Sequence, residues 1–247
     1  MDGYVRSDVL KDLYDYDNSE FVNNLEMEGF FVAQQSHSNY AKTILSVPST
    51  LNMDYVDTFA PGLDDSKFWW LMEPFIDHSE VRTLLKSQGY QTVSFSTNWS
   101  LTDMNSADIH LAAFPVELTD FEQYLLQTTP LRLSQPFLQD SASVFTSETQ
   151  RRTILHTLGA LDDFVSDPDP VFVFAHILLP HPPFVLDAEG KPVQSATDFS
   201  FKDAEDFEGS SEEYRKGYKG QVEFLNSRLQ EILTTILQQS NTPPIII

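Results

Sequence analysis

PVFVFAHILLPHPPFVL, residues 170–186, is the most apolar run in the chain. It holds 17 residues, four prolines and two histidines. A membrane-spanning helix needs about 20 unbroken apolar residues, so this run is too short and too interrupted to be one. Its first part, residues 171–175, alternates valine and phenylalanine and reads as a central, buried β-strand. His176 and His181 follow directly. The reading of everything else turns on this strand and what lies before and after it.

Upstream, residues 147–164 read as a helix with Ile154, Leu155, Leu158 and Leu161 on one face, ended by Asp167-Pro168-Asp169-Pro170. Residues 118–126 read as a short helix. Residues 78–88 read as another, with Val81, Leu84 and Leu85 apolar; Gly89 stops it and residues 90–95 follow as a strand. Nearer the start, the capping cluster Asp17-Asn18-Ser19-Glu20 opens a helix that carries Phe21, Val22 and Leu25 and ends at Gly29; residues 30–33 then read as a short buried strand. Downstream, residues 212–239 read as a long helix with Val222, Leu225, Leu229, Ile232, Leu233 and Ile236. Residues 198–213 are acidic and read as a solvated loop. Repeated helix–turn–strand units predict an α/β fold, a mostly parallel sheet with helices on both faces.

Composition sets outer bounds. The chain has 247 residues, 41% hydrophobic and 13% aromatic, which is globular composition. Lys and Arg number 15 against 37 Asp and Glu, a net charge of −22. Such a chain is repelled by phosphate backbones, which argues against nucleic acid as a partner. It has no cysteine, which excludes disulfides, thiolate metal sites and cysteine nucleophiles together. The first eleven residues are polar, carry Asp2 and Asp8, and do not read as a signal peptide. The run Thr242-Pro243-Pro244-Ile245-Ile246-Ile247 reads as a turn and the start of a buried strand. Both termini are therefore expected to lie inside a larger domain.

Ligands in α/β folds gather at the carboxyl ends of strands, and three features are expected there. One is Asp2-Gly3-Tyr4; a lone Asp-Gly is more often simply a turn. Another runs from Asn39 to Thr50, NYAKTILSVPST, and opens a helical stretch. Pro48 fits best in a first helical turn, which places Thr43 just before or at the helix start. There its hydroxyl would meet backbone N–H groups and the positive end of the helix dipole, an arrangement suited to a phosphate or sulfate oxygen. The simpler alternative is that Thr43, Ser46 or Ser49 is merely the N-cap. The remaining feature is the pair His176 and His181. Imidazole binds a metal or donates to an anion, and one of the two is open to a purely structural role.

An Asp near the start, Thr43-Ile44-Leu45-Ser46-Val47-Pro48 at a helix start, and His-x-x-x-x-His-x-Pro from His176 to Pro183 resemble the alkaline phosphatase superfamily. The similarity is to its sulfatase-like branch of membrane-anchored phosphoethanolamine transferases and lipoteichoic acid synthases, and it runs over most of the chain. The resemblance implies a three-layer α/β/α fold, with residues 1–247 forming a partial domain that lacks its first strand and its C-terminal metal-binding part. It implies Asp2 and Thr43 as ligands of a divalent metal (zinc, manganese, magnesium or calcium) and Thr43 as nucleophile, with Ser46 the alternative. It implies that His176 and His181 bind substrate phosphate or a second metal, with His181 also catalytic. The substrate would be a phosphate or sulfate ester, such as a lipid head group. The domain would lie on the extracytoplasmic side of a membrane, anchored through segments outside this soluble chain.

The chain also departs from that pattern. Sulfatases proper carry C/S-x-P-x-R; here Ser46-Val47-Pro48-Ser49-Thr50 has threonine in place of the arginine, which favours Thr43 over Ser46. The family's Asp-His-Gly metal motif would lie beyond Ile247, so a weak metal site is expected of residues 1–247 alone. Two other classes compete. One is a fold relative that lost catalysis and serves as a binding or structural module. The other is a carbohydrate-binding or general interaction domain using Trp69, Trp70 and Trp99, although aromatics at 13% are more simply core.

Overall fold

Two helices in this chain end in the same way, and the ends explain much of the local structure. The computed structural model describes residues 1–63, 69–138, 140–144, 146–165, 167, 169–193, 207 and 209–247, the side chains of Trp69, Asp120 and Gln135 excepted. In chain order the described residues form α1 (Ser7–Tyr14), α2 (Ser19–Met27), α3 (Thr43–Leu51), α4 (Val56–Phe59), α5 (Glu73–Asp77), α6 (Glu80–Ser87), β1 (Gln91–Phe95), β2 (Ile109–Leu111), α7 (Asp120–Thr128), α8 (Gln135–Leu138), α9 (Ser147–Ala160), β3 (Val171–Phe174) and α10 (Ser211–Gln239). The chain is thus mixed α/β. It divides into two compact units, one of Met1–His37, Thr146–Ser166 and Ile177–Ile247, the other of Ser38–Phe145 and Asp167–His176.

The second of these, the sheet unit, holds three parallel strands in the order β2-β1-β3. The central strand is β1, whose Thr92, Val93, Ser94 and Phe95 are all buried, as expected where both faces are covered. β3 lies at an edge of this sheet and its four residues are half-buried, so the expectation of a central strand at 171–175 is corrected. Val171 and Phe172 read as central because an edge strand under cover is as apolar as a middle one. β2, at the other edge, is three residues long, too short for its alternation to be read. Two apolar clusters support the sheet unit: Leu51, Ile76 and Met104 beside Phe172 and Phe174, and Ile44, Leu45, Val56, Ala60 and Met72. α6 is capped by buried Ser79, which accepts from Arg82 N at 3.5 Å. Buried Arg82 donates to Asp77 O, Ser106 Oγ and Ser106 O, while Ser106 N donates to Asp77 Oδ1 at 2.8 Å.

The other, the helical unit, is organised on the 29-residue α10, which opens with a reciprocal cap between Ser210 and Glu213. α1, α2 and α9 pack on it. Leu10, Phe184, Tyr218 and Val222 form its core, and Tyr14 stacks on Tyr218 at 4.1 Å between ring centroids. Gly217 is needed for this packing: a Cβ there would stand 2.2 Å from Phe184 Cδ2, so the ring fills the notch that a missing side chain leaves in the helix.

Residues 30–33 do not form a strand, and Phe31 is 92% exposed. The helix end alone does not decide this. Gly29 sits at φ +94°, Gly29 N donates to Glu26 O at 3.1 Å and Phe30 N to Leu25 O at 3.0 Å, which closes the helix. α6 ends identically, with Gly89 at φ +87°, Gly89 N to Lys86 O at 3.0 Å and Tyr90 N to Leu85 O at 3.1 Å, and β1 starts one residue later at Gln91. Residues 243–247 are also not a strand, and Ile245 is 91% exposed; among the described residues none pairs with them. α9 stops at Ala160, four residues short of the expected end. Of the acidic stretch, residues 198–206 and 208 lie outside the described residues, and Ser211, Glu212 and Glu213 are the first turn of α10. Among the described residues no helix is long and apolar enough to cross a membrane.

Candidate active site

In the sheet unit, the chain leaves β1 into a polar loop, Ser96-Thr97-Asn98-Trp99-Ser100-Leu101-Thr102-Asp103, that folds back on itself. Asp103 closes the loop. Its Oδ1 accepts from Thr97 N at 2.8 Å and from Thr97 Oγ1 at 2.6 Å. Asp103 and Thr97 are 6% and 2% exposed. Burial pushes the Asp103 carboxyl up to about 7, against the downward pull of the Thr97 hydrogen bonds.

His176 lies two residues beyond the end of β3, where the sequence places it. It is buried, and its Nδ1 is 3.0 Å from Thr102 Oγ1. The Trp99 ring is 6.4 Å from the imidazole, centroid to centroid. α3 packs on the Ser100–Thr102 turn. Thr43 is the first residue of α3 and half-buried, and extended Lys42 precedes it as the N-cap. The helix therefore starts at Thr43 as read, but the cap is none of Thr43, Ser46 and Ser49. Lys42 O accepts from Leu45 N at 3.0 Å and from Ser46 N at 2.9 Å. Pro48 lies inside the helix and not in its first turn. It is buried, and its missing N–H forfeits one backbone bond of the helix. Ser49 is buried and donates to Asp54 O at 2.7 Å, which holds the helix end.

On the β2 side, Ser94 Oγ donates to Met104 O at 2.8 Å and lies 2.8 Å from His110 Nδ1. His110 Nε2 is 3.1 Å from Glu117 Oε2. The hydrogen bond to Glu117 raises the imidazole above its ordinary value, against burial. Burial pushes Glu117 up, but hydrogen bonds from His110 and Ser96 outweigh it and the carboxyl sits below its ordinary value. Ser94 is wholly buried with its proton given to a carbonyl, so this Ser–His–Glu chain is an anchor for β2 and not a nucleophile.

In the helical unit, Asp2 and His181 come together through the main chain. Asp2 N donates to Ile177 O at 2.9 Å, His181 N donates to Asp2 O at 3.2 Å, and Asp2 bridges to Pro180 in parallel. Gly3 takes φ +72° against the His181 backbone. Tyr218 Oη donates to Gly3 O at 2.7 Å and Gln221 Nε2 to His181 O at 3.3 Å, so α10 holds both strands of this contact. The His-x-x-x-x-His spacing thus straddles a unit boundary, with His176 closing the sheet unit and His181 in the helical one.

Asp2 and Thr43 are oxygen donors, the kind that a hard divalent cation takes. Among the described residues no group of three or more His, Asp and Glu is gathered to hold an ion. The sequence reading missed Thr97, Thr102, Asp103, His110 and Glu117. The signal for the first three was available: seven of the eight residues at 96–103 carry polar side-chain atoms directly after a buried strand. No family model, no curated protein and no solved structure matches the chain.

Proposed function

We propose that this chain is a sulfatase-like domain of the alkaline phosphatase superfamily, a three-layer α/β/α fold that transfers or hydrolyses phosphate or sulfate esters with metal assistance. One observation carries the reading: Thr43 opens α3, which packs on the turn whose Thr102 holds His176. A hydroxyl on the first residue of a helix faces a region of positive potential that favours a bound anion. By the same reading Asp2 and Thr43 are ligands of the divalent ion, which when bound lowers the hydroxyl pKa and offsets charge on the reacting group. Thr43 Oγ1 attacks phosphorus or sulfur and the ester bond to the leaving group breaks. His181 donates to a non-bridging oxygen or protonates the leaving oxygen, and His176 donates to the anion. The covalent threonine ester then passes to an acceptor alcohol or to water. A surface of net charge −22 disfavours free anions arriving from afar, which supports a head group presented at a membrane on the extracytoplasmic side.

The test is rapid quenching with a labelled phosphate ester in the presence of zinc, manganese, magnesium or calcium, using the protein with its natural flanking sequence. Label on Thr43, with turnover abolished by Thr43→Ala and only reduced by Ser46→Ala, is the expected outcome. Label on Ser46 would reassign the nucleophile. No label and no turnover with any of the four metals would replace the enzyme by a non-catalytic binding module.

A further inference from the structure

We propose that Asp103 sets which ring nitrogen of His176 carries the proton, through a hydroxyl relay formed by Thr97, Thr102 and the carbonyl of Trp99. The relay follows from counting hydrogens. The Trp99 carbonyl has two lone pairs. One accepts from Thr102 N at 3.0 Å. Two hydroxyls compete for the other, Thr97 Oγ1 at 3.0 Å and Thr102 Oγ1 at 3.3 Å. Each hydroxyl has one proton and a second place to put it: Thr97 on Asp103 at 2.6 Å, Thr102 on His176 Nδ1 at 3.0 Å. The hydroxyls are themselves 3.4 Å apart. The choices are therefore linked.

With Asp103 ionised, Thr97 donates to the carboxylate. Thr102 then donates to Trp99 O, and His176 donates from Nδ1 to Thr102, which leaves Nε2 an acceptor. With Asp103 protonated, the acid donates to Thr97 Oγ1 and Thr97 donates to Trp99 O. Thr102 then donates to His176 Nδ1, which puts the imidazole proton on Nε2. The relay moves the imidazole proton from one ring nitrogen to the other and no side chain has to move, since every distance in both networks is one already present. Burial holds the Asp103 carboxyl at about 7, so the relay is poised to change near neutral pH. The charges acting on Asp103 are Glu117, which pushes it up, and His110, which pulls it down; they are bonded to each other at 3.1 Å. The coupling stands on these hydrogen bonds alone. That it decides whether His176 donates to an anionic substrate or accepts from a neutral one rests on the proposed function.

The experiment is long-range proton–nitrogen NMR of the chain labelled with nitrogen-15 histidine, with the His176 ring assigned by its absence in His176→Gln. The expected result is a tautomer change at His176 with a midpoint near 7, from Nε2–H on the acid side to Nδ1–H on the alkaline side. Thr102→Ser should keep the change, and Thr102→Val and Asp103→Asn should each remove it. A tautomer constant from pH 5.5 to 8.5, a ring doubly protonated at the acid end, or a change that survives Thr102→Val would overturn the proposal. Turnover of a phosphate ester is measured alongside on the full-length protein with zinc, manganese, magnesium or calcium. A tautomer change without turnover would uphold the relay and remove the phosphoryl-transfer reading; turnover with a fixed tautomer would do the reverse.

Discussion

In the helical unit, Tyr218 and Gln221 hold the chain with groups that carry no charge near neutrality. Tyr218 Oη donates to Gly3 O and accepts from Val5 N at 3.2 Å, and burial pushes its ionisation far above the physiological range. Gln221 is wholly buried; its Oε1 accepts from Val185 N at 2.8 Å and Leu186 N at 3.4 Å. In the sheet unit the same work falls to Asp103, His110 and Glu117, all ionisable and all displaced from their ordinary values. Tyr218, Gln221 and Asp103 bind backbone amides, while His110 and Glu117 bind each other and neighbouring hydroxyls. The two units differ in where they titrate: the sheet unit buries a carboxyl raised to about 7, whereas the displaced carboxyls of the helical unit, Asp8, Asp17 and Glu213, are exposed and lowered, so they act only in acid. Trp69, Trp70 and Trp99 all fall in the sheet unit, so tryptophan emission reports that unit.

The sharpest way to break this contrast is Asp103→Asn. The folded carboxyl is raised from 3.8 to about 7, so the folded state keeps a proton that the unfolded state gives up. That contribution is fully present below about 3.8 and is lost progressively as the pH rises from there through 7. The variant should be the more stable protein at pH 8, by up to about 4 kcal/mol for a three-unit shift, and by less than half of that at pH 5. Urea unfolding followed by tryptophan emission checks it; equal effects at both pH values would mean that Asp103 is ionised throughout.

Gln221→Leu tests the other side. It strands the amides of Val185 and Leu186 in an apolar interior and should cost about 3 kcal/mol, by the same amount at pH 5 and pH 8. Calorimetric unfolding at the two pH values reads this, and a pH-dependent loss would blur the contrast. His110→Ala should cost about 1 kcal/mol after allowance for the partial exposure of Glu117. The raised His110 contributes below its unfolded value and loses that contribution as pH rises; the lowered Glu117 contributes above its own and loses it as pH falls. The cost should therefore peak between about 4.5 and 6.5 and fade by pH 8. Smallest of all, Phe31→Ser should change stability by less than about 0.5 kcal/mol, since that ring is almost wholly in solvent.

Phe31 also marks where the sequence stops being sufficient. Gly29 and Gly89 both end helices with the same pair of backbone bonds, and an apolar segment follows each. One becomes β1 because Gln91 N finds Pro170 O at 2.9 Å and its residues pair with β2 and β3 on either side. The other finds no neighbouring strand among the described residues. The cap is local and could be read; the partner is distant and could not. The site divides in the same way. His176 after β3 and Thr43 at a helix start were legible because each depends on neighbours in sequence. The bond from His176 to Thr102 joins residues 74 apart, and nothing in either segment announces it.

The alternation of the chain between its units has a cost in time. The order runs Met1–His37, Ser38–Phe145, Thr146–Ser166, Asp167–His176, Ile177–Ile247, so neither unit is made in one piece. β1 pairs with β3 through Gln91 and Val171, which leave the ribosome 80 residues apart. At roughly 5–20 residues per second, β1 waits on the order of ten seconds with one edge open, long enough for a stray strand to add to it. α1 waits longer still, because the core that its Leu10 joins is completed by Tyr218 and Val222 on α10. Folding of the helical unit during synthesis is therefore deferred to α10, well after β3 has completed the sheet.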